Sequence, residues 1–250
     1  MRIMVGNIGS GKSLIASKFA QRGDVVYNND AVTRMIGGGQ YGLYDTQKKE
    51  IYRVAEETTI ITALSNNFHV VIDRTNMDRK RRERFIEIGK KYAKDIIAYD
   101  FGEGTNKGRD RRIKNGYGVP ASVWQEVFEF MKQSYEEPAL NEGFTEIIEM
   151  PQKYKFHAFD FDGTIVENKF PDIGEILDGT VNRLNKLFDE LSNIIIIWSC
   201  RSGDYEAQMR KCLLDNRIPF DFINENPMVD YGGRKIFAHE YYDDRNVSCQ

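Results

Sequence analysis

Cysteine is scarce in this 250-residue chain: Cys200, Cys212 and Cys249 are the only three. They make no even disulfide set and no metal-binding spacing, so a thiol framework is excluded and reduced thiols in a cytosol are expected. Histidine is equally rare, and His69, His157 and His239 also lack metal spacing. His69 lies in an apolar run and reads as a core residue. No stretch of about 18 apolar residues occurs, so no membrane-spanning helix is expected. A signal peptide is not expected either, because a glycine loop starts at Gly6 and cleavage would remove it. An excess of basic charge is missing as well. The net charge of −3 argues mildly against a protein that coats long nucleic-acid tracts. Internal repeats and low-complexity tracts are absent. Basic residues do cluster locally, at Arg79–Arg82 with Arg84 and again at Lys107, Arg109, Arg111, Arg112 and Lys114. A solvated helix face is the default reading of such runs.

What is present is an alternation of strands and helices, which implies parallel sheets with crossover helices. In the first half, strands are expected at Arg2–Val5, Asp24–Asn28, Phe68–Ile72, Asp95–Tyr99 and Phe144–Met150. Helices are expected at Leu14–Arg22, Lys48–Leu64 and Asp78–Lys94, and from Pro120 to about Tyr135. Pro151-Gln152-Lys153 reads as a short linker. The pattern then restarts with strand Lys155–Phe159, helix Val181–Leu191, strand Ile194–Trp198 and helix Tyr205–Asp215. The expectation is two α/β domains, 1–150 and 154–250.

Gly6-Asn7-Ile8-Gly9-Ser10-Gly11-Lys12-Ser13 is a complete Walker A loop between a strand and a helix, the context the motif requires. Its glycines let backbone N–H groups wrap a phosphate, and Lys12 supplies a cation for the β and γ phosphates. The Ser13 hydroxyl is a Mg²⁺ ligand, and the helix N-terminus adds its dipole. Gly6, Gly9, Ser10, Gly11, Lys12 and Ser13 are therefore candidate ATP-binding residues. Asp73 closes an apolar strand, where a carboxylate organises Mg²⁺ or the lysine; a cap or turn role is the alternative. Asp30, in the Asn29-Asp30 pair, also ends a strand and is placed to accept a proton from an attacking hydroxyl. Asn-Asp pairs are also ordinary turn formers.

The second half carries Asp160-Phe161-Asp162-Gly163-Thr164. Two carboxylates two residues apart on a strand-to-turn segment point toward one Mg²⁺ site. The run resembles the aspartyl-phosphate signature of the haloacid-dehalogenase class, which implies Asp160 as a nucleophile on phosphorus and Asp162 as the acid that protonates the leaving alcohol and then deprotonates water. Ser199 ends the next apolar strand, Arg201 follows, Lys235 is a candidate neutralising cation, and Asp243-Asp244 ends a later strand. Asp160, Asp162, Asp243 and Asp244 form the expected metal set. The aromatics Trp124, Phe128, Phe130 and Tyr135 fit a helix packing face at least as well as a base-stacking platform.

These motifs resemble a family. The Walker loop, Asn29-Asp30 and Asp73-Arg74-Thr75-Asn76 with its basic helix are similar to bacteriophage polynucleotide kinase–phosphatase. Arg109–Lys114 followed by Val119-Pro120 resembles that family's lid. The second half, through Ile196–Arg201, Asn224-Glu225-Asn226, Arg234-Lys235 and Tyr242–Asn246, resembles small haloacid-dehalogenase hydrolases. The resemblance implies a P-loop kinase domain followed by a small, capless, Rossmannoid phosphatase domain. Asp30 would then be the general base toward a 5′-hydroxyl, and Asp73 would support the phosphate site. Arg109, Arg112 or Lys114 would close over ATP. The phosphatase would use Asp160, Asp162, Ser199, Arg201 and Lys235. The implied substrates are RNA or DNA ends bearing a 5′-hydroxyl or a 3′-phosphate. Mg²⁺ would serve at both sites, several copies would assemble, and the location would be cytoplasmic, in a host if phage-encoded. In its first half the chain departs from the family in one respect: Thr33 stands where the family places an arginine three residues after the base, and Arg34 comes one later. Two rivals remain, a small-molecule kinase fused to a metabolite phosphatase and an ATP-gated binding module with a degenerate phosphatase half.

Overall fold

The computed structural model describes residues 1–40, 45–114, 118–151, 153–229 and 235–245. Gln152, Arg234, Asn246 and Cys249, named above, lie outside them. The chain divides into two compact units, Met1–Met150 and Pro151–Gln250. Both are α/β with wholly parallel sheets.

The first unit runs β1 (Arg2–Val5), α1 (Lys12–Gln21), β2 (Val25–Asn28), α2 (Asn29–Ile36), α3 (Lys49–Ser65), β3 (Val70–Asp73), α4 (Arg79–Tyr92), β4 (Ile97–Asp100), α5 (Asn106–Lys114), α6 (Ala121–Gln133) and β5 (Glu146–Glu149). Its five strands lie in the order β2-β3-β1-β4-β5. Burial explains the strand sequences: Ile3–Val5 and Val70–Ile72 are wholly enclosed, as strands covered on both faces must be. Register pairs Asn28 with Asp73 and Val5 with Asp100, so the loops after these strands leave from one edge. Ligands of open parallel sheets bind at that carboxyl edge, beside the strand where the order reverses, here β1.

Two boundaries differ from the sequence reading. Asn29-Asp30 does not extend a strand but opens α2, because the Asn28 side chain accepts the Ala31 N–H (2.8 Å) and caps the helix. His69, expected in the core, is exposed just before β3, beside Phe68, which is 53% exposed. The basic run on α4 is also not one solvated face. Arg82 is fully buried and donates to both oxygens of the buried Glu142, from Nε (2.8 Å) and Nη2 (2.7 Å). Trp124 and Phe128 are buried on α6, whereas Phe130 points to solvent.

The second unit runs β6 (Lys155–Phe159), α7 (Asp178–Asp189), β7 (Asn193–Ile197), α8 (Asp204–Asp215), β8 (Phe222–Ile223) and β9 (Glu240–Tyr242), with strand order β8-β7-β6-β9. Ile194–Ile197 are each wholly enclosed, at roughly 1.5–3 kcal/mol of burial per side chain. Ile195 and Ile197 pack with Phe159, Leu184, Phe188, Met209 and Leu213 in the core. Among the described residues, no helix is long and apolar enough to cross a membrane.

Candidate functional site

In the first unit the loop after β1 is built by backbone geometry. Gly6, Gly9 and Gly11 have φ of 147°, 70° and 100°, and Gly11 caps α1 in a left-handed conformation that side chains resist. Asn7 anchors the loop from below. It is fully buried and donates from Nδ2 to the carbonyls of Glu103 (2.8 Å) and Phe128 (3.0 Å). Thr75 accepts the Gly6 N–H (2.8 Å), and Asn76 donates to Met4 O (2.8 Å), so the segment after β3 fixes the loop's other side.

The loop opens into a cavity of about 280 Å³ that Gly9, Lys12, Ser13, Asp30, Asp73 and Arg112 line among others. Lys12 is 7% exposed and donates to Asn7 O (2.6 Å) and Ser10 Oγ (3.2 Å). Burial lowers its pKa to about 8 against the pull of Asp73, while Arg112 lowers it further and Asp30 opposes that. Asp73 accepts from Asn28 Nδ2 (2.6 Å), which aims its carboxylate along the cavity floor. Arg112 reaches Asp30 Oδ2 (3.4 Å) while its guanidinium lies 4.2 Å from the Trp124 ring. Two cations, Lys12 and Arg112, and two carboxylates, Asp30 and Asp73, thus share one cavity.

The candidate lid residues separate. Arg112 enters the cavity, but Arg109 pairs with Asp110 and lies against Phe128, and Lys114 is exposed at the end of α5. Arg111, which sequence reasoning did not select, donates to Gly9 O (2.9 Å). Gly108 was missed too: a Cβ there would stand 2.9 Å from Gly9 O, and a Cβ on Gly9 only 2.0 Å from Gly108 O. The alternation Lys107-Gly108-Arg109 held that signal, since a glycine inside a basic helix needs a packing reason.

In the second unit Asp160 follows β6, Ser199 follows β7 and Asp243-Asp244 follow β9, all at the carboxyl edge. Asp160, Asp243 and Asp244 each bring one carboxylate oxygen within 4.8 Å of the others. Gly163 (φ 85°) permits this, because its Cβ would meet Asp244 Oδ2 at 2.3 Å. The Asp160 pKa is raised to about 6, mainly by burial and then by Asp243, Asp162 and Asp244, while the Phe161 N–H opposes the rise. An all-oxygen set with mutual repulsion fits a hard divalent cation such as Mg²⁺.

Asp162 is not in that cluster. Its two oxygens accept from Arg201 Nε (2.8 Å) and Nη2 (2.7 Å), and Arg201 itself is 2% exposed. Arg201 also donates to the carbonyls of Pro171 (3.0 Å) and Asp172 (2.8 Å). Asp160, Asp162, Ser199, Arg201 and Asp243 line a cavity of about 410 Å³, with Phe170, Trp198 and Arg245 as lining residues that sequence reasoning missed. Ser199 is oriented by Asn224, whose Oδ1 accepts the Ser199 N–H (2.8 Å). Lys235 lies over the Tyr241 ring at 4.3 Å and is not among the lining residues.

Residues 1–138 match the family described as AAA domain, more than half of the chain, and the chain belongs to that family. Its first unit is thus a P-loop nucleotide-binding domain. No curated protein matches the chain. Among solved structures, a conserved protein from Bacteroides thetaiotaomicron is 33% identical over 38% of this chain and 79% of its own, with a TM-score of 0.34. A chain of the Pnkp1/Rnl/Hen1 RNA repair complex is 23% identical over 98% of this chain and 89% of its own, at 0.44. Kti12 from Chaetomium thermophilum, solved with ADP-AlF3, is 16% identical over 60% of this chain and 88% of its own, at 0.42.

Proposed function

We propose that the chain is a bifunctional nucleic-acid end-healing enzyme. Its first domain, residues 1–150, moves the γ-phosphoryl group of ATP to a 5′-hydroxyl. Its second, residues 154–250, removes a 3′-phosphate or 2′,3′-cyclic phosphate. The products, a 5′-phosphate and a 3′-hydroxyl, are the ends a ligase joins. The observation that carries the reading is the presence of two separate phosphate-type cavities, one around Lys12, Asp30 and Arg112 and one around Asp160.

In the first, the loop amides and Lys12 hold the donor phosphates. Asp30 takes the proton of the acceptor hydroxyl as its oxygen bonds to the γ-phosphorus. The bond to the β–γ bridging oxygen breaks and ADP leaves. Arg112, beside Asp30, meets the charge on the transferring group. Ser13 and Asp73 would hold Mg²⁺ there.

In the second, an Asp160 oxygen bonds to phosphorus while Asp162, aimed by Arg201, gives its proton to the departing alcohol. Water then attacks the aspartyl phosphate, Asp162 accepts its proton, and inorganic phosphate leaves. Asp160, Asp243 and Asp244 would hold Mg²⁺, which supplies positive charge against the clustered carboxylates and the phosphoryl oxygens.

The net charge of −3 favours the rival small-molecule reading. Incubation with γ-labelled ATP and either a 5′-hydroxyl oligonucleotide or free nucleosides separates the two. Label on the oligonucleotide supports end healing; label on nucleosides alone overturns it.

A further inference from the structure

The loop between Asp162 and α7 carries an aromatic ring at the mouth of the second cavity. Phe170 is 57% exposed, yet it lines the same cavity as Asp160 and Asp162. Its ring is 5.1 Å from the Arg201 guanidinium. It is also 5.3 Å from the ring of Tyr205, inclined to it at 57°; Tyr205 stands in the first turn of α8, is 42% exposed and flanks the cavity without lining it.

The support beneath this ring is rigid. Arg201 is almost fully buried and binds the Pro171 and Asp172 carbonyls with the same guanidinium that holds Asp162. The segment bearing Phe170 is therefore fixed relative to the reacting carboxylates. A flat apolar group attached to a phosphomonoester in the cavity would meet a preformed aromatic surface.

We infer that Phe170 and Tyr205 form a stacking platform for the nucleobase of the terminal nucleotide whose phosphate is removed. This rests on the phosphatase reading above and narrows it: the site selects a base-bearing phosphate end over a bare phosphomonoester. The occupant is a base because it must be joined to the phosphate by a short linker and present a π-face. Every nucleobase does so, which makes the recognition tolerant of sequence. The Arg201 charge behind the Phe170 ring adds cation–π cohesion to the platform.

The test uses the full chain with Mg²⁺ and a single-stranded oligonucleotide ending in a 3′-phosphate. Beside it runs the same oligonucleotide with an abasic terminal nucleotide, and glycerol 2-phosphate, which has no ring, serves as a simple phosphomonoester. Loss of the base is expected to raise KM about 5- to 150-fold, the worth of one base–aromatic stack, with kcat retained. Phe170→Ala and Tyr205→Ala are expected to raise KM in that range for the base-bearing end only, and Phe170→Trp to restore it. Binding without turnover gives a second readout. In an Asp160→Asn background, the added Phe170→Trp indole should be quenched by the base-bearing end and not by the abasic one. Equal KM for the two ends, a Phe170→Ala effect equal on both, or a change confined to kcat would overturn the platform. Release from glycerol 2-phosphate alongside equal KM for both ends sinks only this inference. Release from none of the three substrates sinks the phosphatase reading and the platform with it.

Discussion

Gly108→Ala separates positioning from stability at the first site. Alanine is worth about 1 kcal/mol over glycine inside a helix, so on propensity alone α5 gains. Its Cβ, however, stands 2.9 Å from Gly9 O, about 0.5 Å inside the 3.4 Å at which ordinary contact begins. Overpacking of that size costs about 1–3 kcal/mol unless the helix withdraws. The two terms nearly cancel, so the melting temperature of the first unit should move by only a few degrees. Relief by withdrawal, in contrast, lengthens the 2.9 Å bond from Arg111 to Gly9 O and carries Arg112 away from Asp30. Misplacement by about 1 Å typically costs on the order of 100-fold in rate. The assay is phosphoryl transfer from labelled ATP, with phosphate release by the second unit as internal control. Transfer should fall about 10- to 100-fold while phosphate release is unchanged. Full transfer activity with a stabilised first unit would show that the Gly9–Gly108 contact positions nothing.

Other outcomes follow from the same physics. Lys12 is protonated below about pH 8, and ATP binding favours its charged form, so ATP affinity should weaken about tenfold between pH 7 and pH 9; fluorescent-nucleotide titration measures this, and Lys12→Met should flatten the profile. At the second site a proton on Asp160 competes with metal. With its pKa at about 6, Mg²⁺ should bind about tenfold more weakly at pH 5 than at pH 7 by calorimetry, and an opposite trend would refute the cluster. Arg82→Met should cost the first unit about 3–5 kcal/mol in denaturant unfolding by stranding the buried Glu142, and Glu142→Met added to it should recover much of the loss.

The Walker A loop was legible because it is a contiguous run whose chemistry depends on spacing. The strands were legible because parallel sheets leave uninterrupted apolar runs such as Ile194–Ile197. The misses at Arg201, Arg109 and Arg111 are non-local. Nothing near Arg201 in the sequence says that it joins Asp162 to the Phe170 loop some 30 residues back. The turning of Arg109 to Asp110 and of Arg111 to Gly9 depends on how α5 docks, which composition does not encode. Helix α2 was missed because its eight residues run straight on from β2, and only the Asn28 cap marks its start.

Paired assays of Asp30→Ala and Asp160→Ala test the central claim most directly, because Asp30 follows a strand of one sheet and Asp160 a strand of the other, in separate units. Asp30→Ala should abolish transfer of label to a 5′-hydroxyl oligonucleotide and leave 3′-phosphate release intact, and Asp160→Ala should do the reverse. Loss of both activities in either variant, or of neither in both, would contradict two independent phosphoryl-transfer sites in one chain.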